Sequence, residues 1–207
     1  MLTYEEKLNR DTAWALLEGS MHFEERSAVH TTLRNLVKEL NELGLDYAIV
    51  GGMAMFLHGF RRFTEDVDVL VTREGLDEIH KALEGRGYVK PFAASKNLRD
   101  TRTGVKIDFL ISGQFPGDGK PGPIAFPDPS VASKESDGIR VIDLIPLIEL
   151  KLASGRAAHR GKDLDDVQAL IQALSLPRDL VERLDPSVRD AYLLKWDHAQ
   201  QAAADDF

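Results

Sequence analysis

The sequence predicts an α/β (α+β) protein, with a mixed α/β core followed by a helical C-terminal part. Three observations carry this. Short apolar segments of strand length, at residues 45–50, 66–71 and 105–111, alternate with stretches of helical periodicity. From Asp143 onward only helical patterns remain. A hydrophobic content of 43% over 207 residues is enough to bury a substantial core.

Residues 4–17 and 24–43 read as helices. In the second, Leu33, Leu36, Val37 and Leu40 recur on one helical face, and Gly44 is a natural stop. Residues 45–50 form a strand, and a short helix at 53–58 begins just after the pair Gly51-Gly52. Residues 66–71 are the next strand, and 76–83 a helix closed by the turn Gly85-Arg86-Gly87. Two strands near 97–101 and 105–111 are joined at Thr103-Gly104, which reads as a hairpin turn. Residues 114–129 contain Pro116, Gly117, Gly119, Pro121, Gly122, Pro123, Pro127 and Pro129. So many breakers exclude a helix or interior strand and predict a long loop near the site. Residues 138–142 form a further strand, and 143–153, 164–174, 177–184 and 186–203 are helical. We expect a core over residues 1–142 and a helical part over 143–207 packed on it, without repeats or a linker.

Net charge is −8 and the isoelectric point near 5.3. Proteins that grip duplex nucleic acid over a wide surface are basic, so this composition counts against that class. A small nucleotide held through metal ions, or an RNA end on a local basic patch, stays compatible. Mean hydropathy is −0.24 and no long apolar run occurs, so no membrane span is expected. The start of the chain, with Glu5, Glu6 and Lys7, is unlike a signal peptide. The absence of cysteine leaves no disulfide or thiolate metal site and suits a cytoplasmic location.

The chemistry concentrates between Gly51 and Val69. An apolar strand runs into a glycine pair, then a short helix, then Arg62-Phe63-Thr64-Glu65-Asp66-Val67-Asp68. Alternate residues of a strand share a face, so Asp66 and Asp68 stand side by side. Carboxylates that close repel one another unless a cation sits between them, and a hard divalent ion is the natural occupant. A third carboxylate is needed to hold two ions, and Asp108, mid-strand between Ile107 and Phe109, is the candidate. An aspartate there is costly to bury without a partner. Glycines beside such a site let backbone amides approach a phosphate.

This arrangement, Gly-Gly followed by Arg62-x-Thr64-x-Asp66-x-Asp68 and a later strand aspartate, resembles the nucleotidyltransferase fold of the DNA polymerase β superfamily. Within it the chain is most similar to bacterial minimal nucleotidyltransferases related to AbiEii-type toxins. The resemblance covers residues 45–111 well and 143–174 more loosely. It implies a mixed β-sheet flanked by helices, with Asp66, Asp68 and Asp108 as metal ligands for two Mg2+ ions, Mn2+ being the alternative. It also implies that Gly51 and Gly52 contact a nucleoside triphosphate. Nucleoside monophosphate would pass to a hydroxyl on a protein, an antibiotic or an RNA end; an RNA end such as a tRNA acceptor stem is the leading expectation, with a protein hydroxyl or a small molecule left open. An antitoxin partner is a further implication. Many superfamily members carry Gly-Ser where this chain has Gly51-Gly52, so a hydroxyl contact to phosphate is missing.

Lys151 lies at the margin of an apolar helix and reads equally as a solvent-seeking lysine or as one aimed at the triphosphate. Arg62 either neutralises the carboxylates or touches the triphosphate, and Thr64 fixes the turn. Arg156, His159, Arg160 and Lys162 form a short polar cluster able to receive phosphates. Asp163 reads as an N-cap, with an ion pair to Lys151 or Arg160, and Asp166 as a first-turn acid. His58 reads as packed, Arg61 as surface, and Tyr192 and Trp196 as core. The histidines show no zinc spacing, and neither a nucleophile elbow nor a Walker motif occurs. The alternative reading is a non-catalytic nucleotide- or partner-binding module of the same fold.

Overall fold

The computed structural model describes residues 2–157 and 160–205. Thr3 caps the first helix, α1 (Tyr4–Arg10), in a capping box with Glu6. The helix expected over 4–17 is broken at Asp11, whose carboxylate accepts from the Trp14 amide and starts α2 (Thr12–Phe23). A side-chain cap offers the backbone a better local partner than helix continuation does. Ser27 likewise caps α3 (Ala28–Glu42), which therefore begins four residues later than expected from 24.

The sheet is built from β1 (Tyr47–Val50), β2 (Asp66–Val71), β3 (Tyr88–Val89), β4 (Leu98–Asp100), β5 (Lys106–Ile111), β6 (Ser133–Ser136) and β7 (Ile139–Ile142). Their order is β3-β4-β5-β2-β1-β7-β6. It is mixed: β2 runs antiparallel to β1 and parallel to β5, while β1 is parallel to β7. Helix α4 (Gly51–Leu57) takes both glycines into its first turn, and α5 (Arg73–Leu83) follows β2 under a Thr72 cap. Residues 114–129 form neither helix nor strand, as expected, and the loop is pinned at its base by hydrogen bonds between Gly113, Gln114 and Phe126.

Then come α6 (Leu144–Ser154), α7 (Gly161–Leu174) and α8 (Arg189–Asp205). The segments expected as helix over 177–184 and at 186 are 3-10 turns, Arg178–Arg183 and Pro186–Val188. Tyr192 and Trp196 pin α8 by donating to the carbonyls of Pro177 and Leu176, both at 3.0 Å. Among the described residues no helix is long and apolar enough to cross a membrane.

Strand alternation divides the interior. Tyr47, Ile49, Val67, Val69, Ile107 and Phe109 face a core closed by α1, α3 and α5. Ala48, Val50, Leu70 and Val141 face a second core closed by α6, α7 and α8. Even-numbered positions of β2 and β5 therefore look toward the C-terminal helices.

Candidate active site

Asp66, Asp68 and Asp108 are among those even-numbered positions. In the parallel pair Asp68 lies opposite Asp108, and Asp66 opposite Lys106. One carboxylate oxygen from each aspartate lies within 4.8 Å of the others. The three carboxylates therefore share one face of the sheet. The Asp68 carboxyl is pushed up to about 7, first by burial, then by the Asp66 and Asp108 charges; Lys151 and Lys106 pull it down. Asp68 keeps partial exposure toward the cavity, yet the protein packed around it still disfavours its charged form. An all-oxygen, electrostatically frustrated donor set of this kind fits a hard divalent ion, magnesium or manganese.

The glycine pair packs closely against this site, Gly51 against Asp68 and Gly52 against Thr64. Gly51 has φ +60°, and a Cβ there would fall 1.8 Å from Oδ2 of Asp68. A Cβ on Gly52 would fall 2.7 Å from the Thr64 hydroxyl and 3.4 Å from an Arg62 nitrogen. Thr64 in turn donates to Asp66 Oδ1 at 2.8 Å. The turn, the glycines and the carboxylates are thus one packed unit.

Gly51, Gly52, Arg62, Thr64, Asp66, Asp68, Asp108 and Lys151 all line a single cavity of about 640 Å³. Its far wall is α6 and α7. Lys151 Nζ donates to Asp166 at 2.6 Å and to Asp163 at 3.2 Å, and Arg62 reaches the same Asp166 oxygen at 3.1 Å. The solvent-seeking alternative for Lys151 does not hold, because the side chain is buried. Asp163 is not an N-cap. Helix α7 starts at Gly161, which leaves Asp163 in the first turn, accepting from Lys151 and from Ser154 Oγ at 2.7 Å, with the Arg160 guanidinium 4.0 Å away as a long ion pair. The expected polar cluster divides: Arg160 and Lys162 line the cavity, whereas Arg156 turns away to the Ser187 carbonyl. His159 lies outside the described residues.

No protein-family model matches the chain, and no curated protein does. Solved structures do. A crystal structure of ANT(2″)-Ia in complex with adenylyl-2″-tobramycin superposes with a TM-score of 0.52 at 14% identity, covering 80% of this chain and 97% of that one. The solution structure of the antibiotic-resistance factor ANT(2″)-Ia gives 0.53 at 17%, covering 82% and 96%. The chain has the nucleotidyltransferase fold.

Three residues of this nucleotidyltransferase fold escaped the sequence reading. Asn97 donates through Nδ2 to Asp108 Oδ1, while its own Oδ1 accepts from the Phe109 amide at 3.0 Å. Lys106 Nζ donates to Asp108 Oδ2 at 2.7 Å. Lys96 lines the cavity, and burial lowers its pKa. Lys106 was legible, being two strand residues from Asp108 and hence on its face. Asn97 was not, because its role exists only through the β4–β5 pairing.

Proposed function

We propose that the chain is a magnesium-dependent nucleotidyltransferase, moving a nucleoside monophosphate from a nucleoside triphosphate to a hydroxyl acceptor. The supporting observation is the convergence of Asp66, Asp68 and Asp108 within 4.8 Å in the same cavity as the glycine pair. In this reading the three aspartates hold the ions, and the backbone at Gly51 and Gly52 receives the triphosphate. Arg62 and Lys151 offset its charge. When bound, the divalent ions polarise the α-phosphate and neutralise the departing pyrophosphate. The acceptor oxygen forms a bond to the α-phosphorus as the bond to the bridging oxygen breaks. Asp108 helps take the hydroxyl proton, and pyrophosphate leaves with the electron pair. Catalysis then rests on positioning and fixed charge rather than on a covalent intermediate.

The acceptor we favour is an RNA end such as a tRNA acceptor stem, ahead of a protein hydroxyl. Lys96, Arg160 and Lys162 on the cavity lining suit a polyanionic acceptor. The finer likeness to AbiEii-type proteins supports a place in a toxin–antitoxin pair, which a companion gene beside this one would corroborate. The reading as a non-catalytic module draws on one observation: both Asp108 oxygens are already engaged, by Asn97 and Lys106.

The deciding experiment incubates the protein and Mg2+ with each α-labelled triphosphate, together with total cellular RNA and protein. Label should enter one macromolecular fraction and pyrophosphate should be released, both lost in Asp66→Asn. Nucleotide binding by calorimetry without pyrophosphate release, with every acceptor tried, would leave only the binding module.

A further inference from the structure

We propose that Lys106 is an internal counter-ion of the carboxylate site. Its ammonium holds Asp108 in the metal-free protein and must leave that carboxylate before a divalent ion enters. The inference rests on the metal-dependent reading above and concerns how that site is regulated.

The parallel register sets four side chains in a two-by-two patch on one face: Asp66 beside Lys106, and Asp68 beside Asp108. Three are acids and one is a cation. Without Lys106 the patch would carry three like charges with no counter-charge of its own. Asp108 has two oxygens, and they are held in different ways. Oδ1 is held by Asn97, an amide tethered at both ends, since its oxygen accepts from the Phe109 amide within the strand. Among the described residues Oδ2 is held by Lys106 alone, whose side chain is 35% exposed on a flexible stem. Moving Asn97 breaks two hydrogen bonds, one to strand backbone, whereas moving Lys106 breaks one at the solvent edge. The ion therefore reaches Asp108 through Oδ2, in competition with Lys106.

Two consequences follow. A free divalent cation binds weakly, because it must displace a resident charge. Nucleotide strengthens that binding, because its phosphates bring extra ligand oxygens and a second anionic partner for the released ammonium.

The test is Mn2+ titration of the full chain, followed by electron paramagnetic resonance of the free ion, with and without a non-hydrolysable triphosphate. The variants are Lys106→Met and, as the control for simple charge removal, Lys96→Met. Lys96 also feels the Asp108 charge but makes no hydrogen bond to it among the described residues. Lys106→Met should bind Mn2+ about tenfold more tightly without nucleotide, and the gain on adding nucleotide should shrink by a similar factor. Lys96→Met should tighten binding less than about threefold. Lys106→Gln gives the same answer should methionine disturb the strand. Equal tightening by both variants, or none by Lys106→Met, overturns the inference while leaving the metal reading intact. No Mn2+ binding by the wild-type chain or by Lys106→Met, with or without nucleotide, overturns both.

Discussion

Lys151 on α6 and Asp166 on α7 meet at 2.6 Å with both side chains more than nine-tenths buried. Arg62, from the segment before β2, joins them on the same carboxylate oxygen at 3.1 Å. Two cations from different parts of the chain are thus oriented by one acid, and both face the cavity that holds the three aspartates. Removing Asp166 takes from Arg62 its carboxylate partner among the described residues and leaves Lys151 only the longer contact to Asp163, at 3.2 Å. Asp166→Ala should lower stability by about 3 kcal/mol, read from urea unfolding with an unchanged m-value. The same variant should raise KM for the triphosphate more than it lowers kcat, because Lys151 and Arg62 lose their orientation. An unshifted denaturation midpoint would mean that the trio relaxes freely.

Asp66→Asn removes one of three mutually repelling carboxylates while keeping the Thr64 contact sterically possible. The fold should be intact or slightly more stable without metal, since repulsion at Asp68 is relieved. Transfer should vanish, and magnesium-dependent nucleotide binding should weaken at least about tenfold, which is roughly 1.4 kcal/mol. Calorimetry with and without Mg2+ reads this directly. Wild-type turnover in the variant would remove Asp66 from the metal site.

What the sequence revealed, and what it hid, follows from how local each signal is. Period-two alternation placed Asp66 and Asp68 on one face, whereas Asp108 was legible only as an aspartate between apolar strand residues, and the parallel register of β2 and β5 brings it to that face. Strand β6 went unread because Ser133, Lys134, Glu135 and Ser136 are polar and largely exposed, so no alternation marks them. Its one signal was the dipeptide Asp137-Gly138, with φ of 51° and 76°, a hairpin turn between β6 and β7. The break at Asp11 was equally local, a capping aspartate inside an otherwise continuous helical pattern. Asn97 and the shared bond at Asp166 were illegible, since each joins elements whose adjacency only the folded chain establishes.

Gly51 tests the packed unit from another side. Its φ of +60° disfavours any side chain, and a Cβ would collide with Asp68 Oδ2 at 1.8 Å. Gly51→Ala must therefore displace Asp68 or the start of α4. Loss of Mn2+ affinity comparable to that of Asp68→Ala is expected, with a stability cost of about 1–3 kcal/mol from the strained backbone. Normal Mn2+ binding in this variant would show that Asp68 Oδ2 lies outside the ligand set.

Asp68 also makes stability depend on pH in a direction opposite to that of a salt-bridged carboxylate. Its pKa is raised from 3.8 to about 7, by burial first and by Asp66 and Asp108 next. Between about pH 4 and 7 the folded chain therefore holds a proton at this site that the unfolded chain has released. Folding stability contributed by the group is present below that window and is lost as pH rises through it. The loss cannot exceed about 1.4 kcal/mol per pH unit for one proton, or roughly 3–6 °C in thermal midpoint for a chain of this size. Metal-free wild type should thus lose stability relative to Asp68→Asn between pH 5 and 7, and run parallel to it above about pH 7.5. Added Mg2+, which favours the ionised carboxylate, should stabilise wild type more at pH 8 than at pH 5.5 and leave the variant nearly unchanged. Thermal melts of both proteins across this range, with and without Mg2+, make the comparison. Curves that stay parallel from pH 5 to 7 would show that Asp68 titrates as an ordinary exposed carboxylate, and the electrostatic demand for a cation at this site would go with it.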